Sequence, residues 1–148
     1  MLFGLLLLRP FWSEEVPGSG LFRVVALADV SGSMRTQDEK GGPRRIDSLK
    51  EAFDEKKNET WLSTVRDAYE RVEVMGFDVE MEAFRPSSWE RPSEGRKTAF
   101  GDALREALAT HSPEDPLGAV VAFTDGRNNH GARILDVARE YVSEGIPV

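Results

Sequence analysis

Apolar residues along this chain recur with two different periods, and the change from one to the other marks its elements. Residues 21–28, LFRVVALA, form a continuous apolar run with β-branched residues and one charge. Such a run predicts a strand buried on both faces, as in a parallel sheet. Residues 34–46 are polar with Gly-Gly-Pro, which predicts a loop. At Ser48 the SLKE stretch fits a capping box with Glu51, and Leu49, Ala52 and Phe53 give the following helix an apolar side. Asn58 or Thr60 caps a second helical piece, in which Trp61, Val65, Ala68, Tyr69 and Val72 recur on one face.

The pattern then switches to alternation. In 77–84, FDVEMEAF, Phe77, Val79, Met81 and Ala83 fall on one side and Asp78, Glu80 and Glu82 on the other. This predicts a strand with one wet face, near a sheet edge. Residues 85–97 are a Pro-, Ser- and Gly-containing loop, and 99–110 a helix with Leu104, Ala107 and Leu108 inward. Residues 117–124, LGAVVAFT, are a second strand of the buried type, followed by Asp125 and a GRNNHG turn. Residues 132–144 form a helix that Gly145 ends, and IPV starts as another strand.

Strands that alternate with helices predict an α/β fold, a mostly parallel sheet with helices on both faces. Ligands of such sheets bind beyond the carboxyl ends of the strands, near the point where strand order reverses. Asp29 and Asp125 stand at two of those ends. Asp29 opens an Asp-x-Ser-x-Ser series with Ser31 and Ser33, and Gly32 between the serines offers a bend. Thr98 stands just ahead of a helix. Each part alone has an ordinary explanation: a turn for Asp29–Ser33, an N-cap for Thr98, an Asp-Gly turn for Asp125. Together the five are all oxygen donors, with no His or Cys, and such a shell suits Mg²⁺ first, then Mn²⁺ or Ca²⁺. Two carboxylates and three hydroxyls leave a dication under-compensated. The site would keep waters and one position open to an acidic group of a partner.

DVSGS, TAFGDAL and FTDG, in that order, resemble the metal-ion-dependent adhesion site of von Willebrand factor type A domains. The resemblance spans about residues 20–148. It implies a Rossmann-like sheet with the metal at its top, held by Asp29, Ser31, Ser33, Thr98 and Asp125, some of them through water. It also implies a protein-binding module rather than an enzyme, with a partner's carboxylate completing the metal shell. The family normally has two further strands, so residues 21–148 are expected to be a domain lacking its last strands, with strand 119–124 left as an open edge.

The amino-terminal segment 1–12, MLFGLLLLRPFW, is apolar as far as Leu8, with Arg9, Phe11 and Trp12 following. A spanning helix needs about 20 apolar residues. The segment therefore reads either as the end of a transmembrane helix with interfacial residues or as a short apolar arm on its own domain. Residues 13–20 read as a linker. Bacterial membrane proteins carrying type A domains begin their soluble part in this way. That resemblance places the domain at a bacterial membrane, on a side the sequence does not specify.

Composition narrows the rest. With 148 residues, 40% hydrophobic and 30% charged, the chain reads as one globular domain. A net charge of −7 argues against nucleic acid as a partner, and the pairs Arg44–Arg45, Lys56–Lys57 and Arg96–Lys97 read as solvated surface. With no cysteine, disulfides and thiolate chemistry are excluded. His111 and His130 read as solvent-facing, His130 near enough to the metal loop to touch a partner. Trp61 reads as core and Trp89 as equally core or binding surface, while Asp38 and Glu39 read as solvated charges. The competing function is a Mg²⁺-dependent hydrolase of phosphorylated substrates. No nucleophile elbow, P-loop or dinucleotide fingerprint is present, and no general base stands beside the five oxygen donors.

Overall fold

The computed structural model describes residues 22–38, 40–85 and 97–148. The expectations for segments 1–12 and 13–20, and for Glu39 and Trp89, lie outside these residues. Among these residues four strands form one sheet: β1 (Arg23–Asp29), β2 (Arg71–Phe77), β3 (Met81–Ala83) and β4 (Leu117–Phe123). Their spatial order is β3-β2-β1-β4. β1 pairs in parallel with β2 and with β4, and β3 pairs antiparallel with β2. Among the described residues four α-helices accompany them: α1 (Arg45–Ala52), α2 (Trp61–Ala68), α3 (Phe100–Ala109) and α4 (Ile134–Glu144).

The central strand organises both layers. All seven residues of β1 are buried. Successive side chains of a strand point to opposite faces, so its apolar run divides between two cores. Val25 and Leu27 pack with Phe100, Ala103, Leu104 and Ala107 of α3 and Val137 and Tyr141 of α4. Ala26 and Ala28 face Ile46 and Leu49 of α1, Leu62 of α2 and the intervening Phe53. The α/β class, the mostly parallel sheet and helices on both faces therefore hold.

Several boundaries differ from the pattern-based reading. The first helix starts at Arg45, not Ser48. The Asp47 carboxylate accepts from the Arg44 backbone N–H and guanidinium, so the acid three residues into the turn is Asp47 rather than Glu51. Of the two candidate caps, Thr60 acts, exchanging hydrogen bonds with Ser63. The second helix stops at Ala68. Tyr69 is exposed, and Val72 belongs to β2. FDVEMEAF is not one strand: Phe77 ends β2, residues 78–80 turn, and β3 begins at Met81. The strand itself is RVEVMGF, whose alternation about Val72 and Val74 suits a pleated ribbon and not a helix face. β3 supplies the expected sheet edge.

β4 is only half buried, contrary to the both-faces reading. Leu117 and Val120 are buried and the other five are partly exposed. Its outer side meets the end of the chain through one backbone hydrogen bond, Val120 N–H to Pro147 C=O at 3.0 Å. α4 ends as expected, with Gly145 at φ 70°, a conformation with little steric cost for glycine. Among the described residues no helix is long and apolar enough to cross a membrane.

Tyr141 locks the two helices of one face together. It is fully buried, and its hydroxyl donates to the Leu104 carbonyl at 2.7 Å. Burial holds that hydroxyl well above the usual tyrosine pKa, so it remains a donor. Tyr141→Phe is expected to lose about 1 kcal/mol of unfolding free energy, the net worth of one such hydrogen bond, in urea titration. A loss below the error of that titration would remove the α3–α4 lock.

Candidate metal centre

Strand order reverses at β1: β2 and β3 extend to one side and β4 lies on the other. Asp29 ends β1 at this point. Its backbone is in register with Phe77, and Val30 N–H donates to the Phe77 carbonyl at 2.9 Å. The chain then tightens into a 3-10 turn over Gly32–Arg35, anchored by buried Met34 in the α1-side core. Gly32 does not adopt a positive φ, so the bend comes from this turn and not from left-handed backbone. The turn brings the Ser31 and Ser33 hydroxyl oxygens to 3.0 Å of each other. Ser31 is buried and its hydroxyl does not cap the turn.

Asp29 is fully buried. Its Oδ1 accepts from the Ser31 backbone N–H at 2.9 Å and its Oδ2 from the Thr124 hydroxyl at 2.7 Å. Burial raises its pKa above the ordinary 3.8. The hydrogen bonds from Ser31 and Thr124 oppose this rise, and the negative charge of Asp125 adds to it. Asp125, two residues beyond β4, has a side chain only 5% exposed. Its Oδ1 accepts from the Arg127 backbone N–H at 3.1 Å, and its Oδ2 accepts from Arg45 Nη1 at 2.8 Å.

Thr98 reaches the same end of the sheet through its backbone. The Asn129 side chain accepts from Thr98 N–H at 2.8 Å, and Thr98 C=O accepts from Asn129 and His130 N–H. Its neighbour Ala99 donates to the carbonyl of Asp78, one residue past β2, at 2.7 Å. Ala99, not Thr98, is the N-cap of α3. None of the hydrogen bonds that join Asp29, Ser31, Ser33 and Thr124 includes the Thr98 hydroxyl. The structure thus links Asp29, Ser31, Ser33 and Asp125 by side-chain contact or charge, and gathers Thr98 by loop anchorage.

Loop 126–132 is pressed onto the start of α3. Asn128 accepts from Gly101 N–H at 3.2 Å and donates to Ala132 C=O at 2.7 Å, while Asp102 accepts from Ala132 N–H at 2.8 Å. A Cβ on Gly101 would lie 2.1 Å from the Ala132 oxygen. Only glycine permits this approach.

Several residues here were not visible as site residues in the sequence. Thr124 carries no signal beyond its place in FTDG. Asn128 and Asn129 were indistinguishable from a turn. Arg45 and Asp38, read as solvated charges, form an ion pair in which Arg45 Nε lies 2.9 Å from Asp38 Oδ2. His111 is partly buried, and its Nδ1 accepts from Leu117 N–H at 3.0 Å, so it is not simply solvent-facing. His130 is exposed.

Among the described residues, no three His, Asp or Glu side chains gather into a group suited to a metal. The candidate centre rests on two carboxylates and neighbouring hydroxyls, a set of hard oxygen donors that fits Mg²⁺ better than a softer metal. No protein family, curated protein or solved structure matches the chain.

Because Asp29 binds its proton more tightly when folded, native stability falls as pH rises from 3.8 through its native pKa, and stays lower above it. Asp29→Asn removes that loss. Without added divalent cation, its stability relative to wild type is expected to grow as pH rises through this window in parallel urea titrations, and a pH-independent difference would contradict the assignment. Gly101→Ala is expected to lose about 1–3 kcal/mol by overpacking, with wild-type-like stability speaking against the tight loop contact.

Proposed function

We propose that this domain is a von Willebrand factor A-type module whose Asp29, Ser31, Ser33, Thr98 and Asp125 bind a divalent cation, Mg²⁺ first, and that it works by binding a protein partner through an acidic side chain. The observation that carries the reading is the pair of shielded carboxylates, Asp29 and Asp125, at the carboxyl ends of β1 and β4, with the Ser31–Ser33 hydroxyl pair beside Asp29. Two like charges held near each other in a poorly solvated place are unfavourable by themselves. Arg45 offsets Asp125 in this structure, and a dication would supply positive charge to both acids at once.

Roles divide among the chain's own groups. Asp29 and Asp125 contribute charge. Ser31 and Ser33 contribute neutral oxygens, and the loop anchored by Asn129 presents Thr98. Thr124 orients Asp29 by occupying one oxygen, while the Ser31 backbone occupies the other. The bound cation would act as a Lewis acid toward an incoming carboxylate. Attachment to a bacterial membrane through the amino-terminal segment belongs to the same proposal.

Adding Mg²⁺ or Mn²⁺ is expected to raise the Tm of the wild-type protein by several degrees and to leave Asp29→Ala unchanged in the same scan. A metal response in Asp29→Ala equal to that of wild type would remove the site. Turnover of generic phosphoesters by the wild type, lost in Asp29→Ala, would instead favour the hydrolase.

A further inference from the structure

We infer that Arg45 is a built-in competitor for this cation site: its guanidinium and a divalent cation are alternative partners of the Asp125 carboxylate, and Asp38 holds Arg45 when Asp125 changes partner. This rests on the metal-site reading above and adds a regulator to it. Arg45 is the first residue of α1, on the opposite side of the sheet from the helices that follow the Thr98 and Asp125 loops. It nevertheless reaches over the sheet end to Asp125, with Nη1 2.8 Å from Oδ2. The other edge of the fork, Nε and Nη2, grips Asp38. Arginine spans two carboxylates in this way because its five donors lie in one rigid plane.

The two ends of the bridge are unequal. Asp125 is 5% exposed and Asp38 60% exposed, with Arg45 at 31%. At the Asp125 end the guanidinium neutralises a shielded charge, the task a dication would perform. At the Asp38 end it is tethered in water. Arg127 also faces Asp125, but at 3.5 Å and with a side chain 66% exposed, so it holds the carboxylate less firmly. A cleft of about 350 Å³ lined by Asp38, Gly42, Pro43, Arg45 and Ser48 opens beside the fork and gives a released guanidinium somewhere to go.

The connection to the rest of the site is short. Segment 36–45 closes on itself through a Gln37–Arg44 bridge and the bond from Arg45 N–H to Thr36 C=O at 3.2 Å. Thr36 in turn donates to the carbonyl of Ser33. The same segment therefore begins at a hydroxyl donor of the proposed shell and ends on the cation that occupies its second carboxylate. Exchange of partners at Asp125 therefore moves the Nη1 end of the guanidinium alone, since the Nε–Nη2 edge stays on Asp38, Arg45 N–H on Thr36 and Thr36 N–H on Ser33.

The test is calorimetric titration of Mg²⁺ and Mn²⁺ into the full chain and four variants, each checked for folding by circular dichroism. Arg45→Gln is expected to bind the cation about three- to fivefold more tightly, the competition carried by an ion pair near the upper end of the usual range. Asp38→Asn, which removes the receiving group, is expected to bind more weakly than wild type. A loop that merely lost stability would shift both in the same direction, and that result overturns the inference. Arg45→Lys keeps the charge but cannot span both acids, so it should recover part of the gain; affinity equal to wild type would reduce the effect to net charge and overturn the competition. Arg127→Gln is expected to stay within about twofold of wild type, and a gain matching that of Arg45→Gln would transfer the role to Arg127. If Arg45→Gln does not fold, Arg45→Lys carries the decision. Absence of cation binding in wild type and all variants removes the site itself and the competition with it, whereas equal binding by wild type and Arg45→Gln removes only the competition.

Discussion

Burial of Asp29 is the constraint around which this fold is arranged. β1 is shielded on both faces and both edges, and its last residue carries a carboxyl group into that setting. A buried carboxylate is tolerated only when its oxygens are satisfied. Here one oxygen is satisfied by the turn that follows, through Ser31, and the other by the neighbouring strand, through Thr124. Those two bonds fix where the serines go and how the ends of β1 and β4 align. The hydroxyl pair, the 3-10 turn and the approach of Asp125 follow from them.

Electrostatics then explains the neighbouring cations. Asp125 is shielded almost as well as Asp29 and raises the proton affinity of Asp29 further. The chain answers with Arg45, brought from a helix on the far face. At the opposite end of β1 the same arithmetic holds with reversed signs. Arg23 is buried, and it is compensated by Glu73 and Asp115, with Thr110 as a further acceptor. Each end of the central strand thus carries one buried charge with partners from other elements. The partners differ in kind: Arg23 is surrounded by opposite charge, whereas Asp29 has hydroxyl and backbone donors and a second acid nearby. On the metal-site proposal, a cation would complete the second arrangement.

Much of this was legible in residue order. Continuous apolar runs located β1 and β4, and helical periodicity located α3 and α4, because an apolar strand and a helix buried along one stripe leave different patterns, although only β1 is buried on both faces. The donors Asp29, Ser31, Ser33, Thr98 and Asp125 were visible as oxygen-bearing residues placed just beyond strands or before a helix. Short elements were less legible. β2 was hidden because Val72 satisfies a helical spacing from Trp61 as well as a strand alternation with Val74, and the Asp78–Glu80 turn carries no glycine or proline to separate β2 from β3.

What the chain's sequence determined by itself is the alternation of elements, the α/β class and the kind of atoms available at the sheet's end. These depend on local properties: period, turn chemistry and side-chain type. Tertiary structure alone decided the order β3-β2-β1-β4, the half-exposed state of β4 and the partners of each charge. Arg45 and Asp125 are 80 positions apart, and Thr124 and Asp29 are 95 apart. No local pattern encodes such pairings, since they arise only once packing on two faces of β1 has brought the loops to one edge.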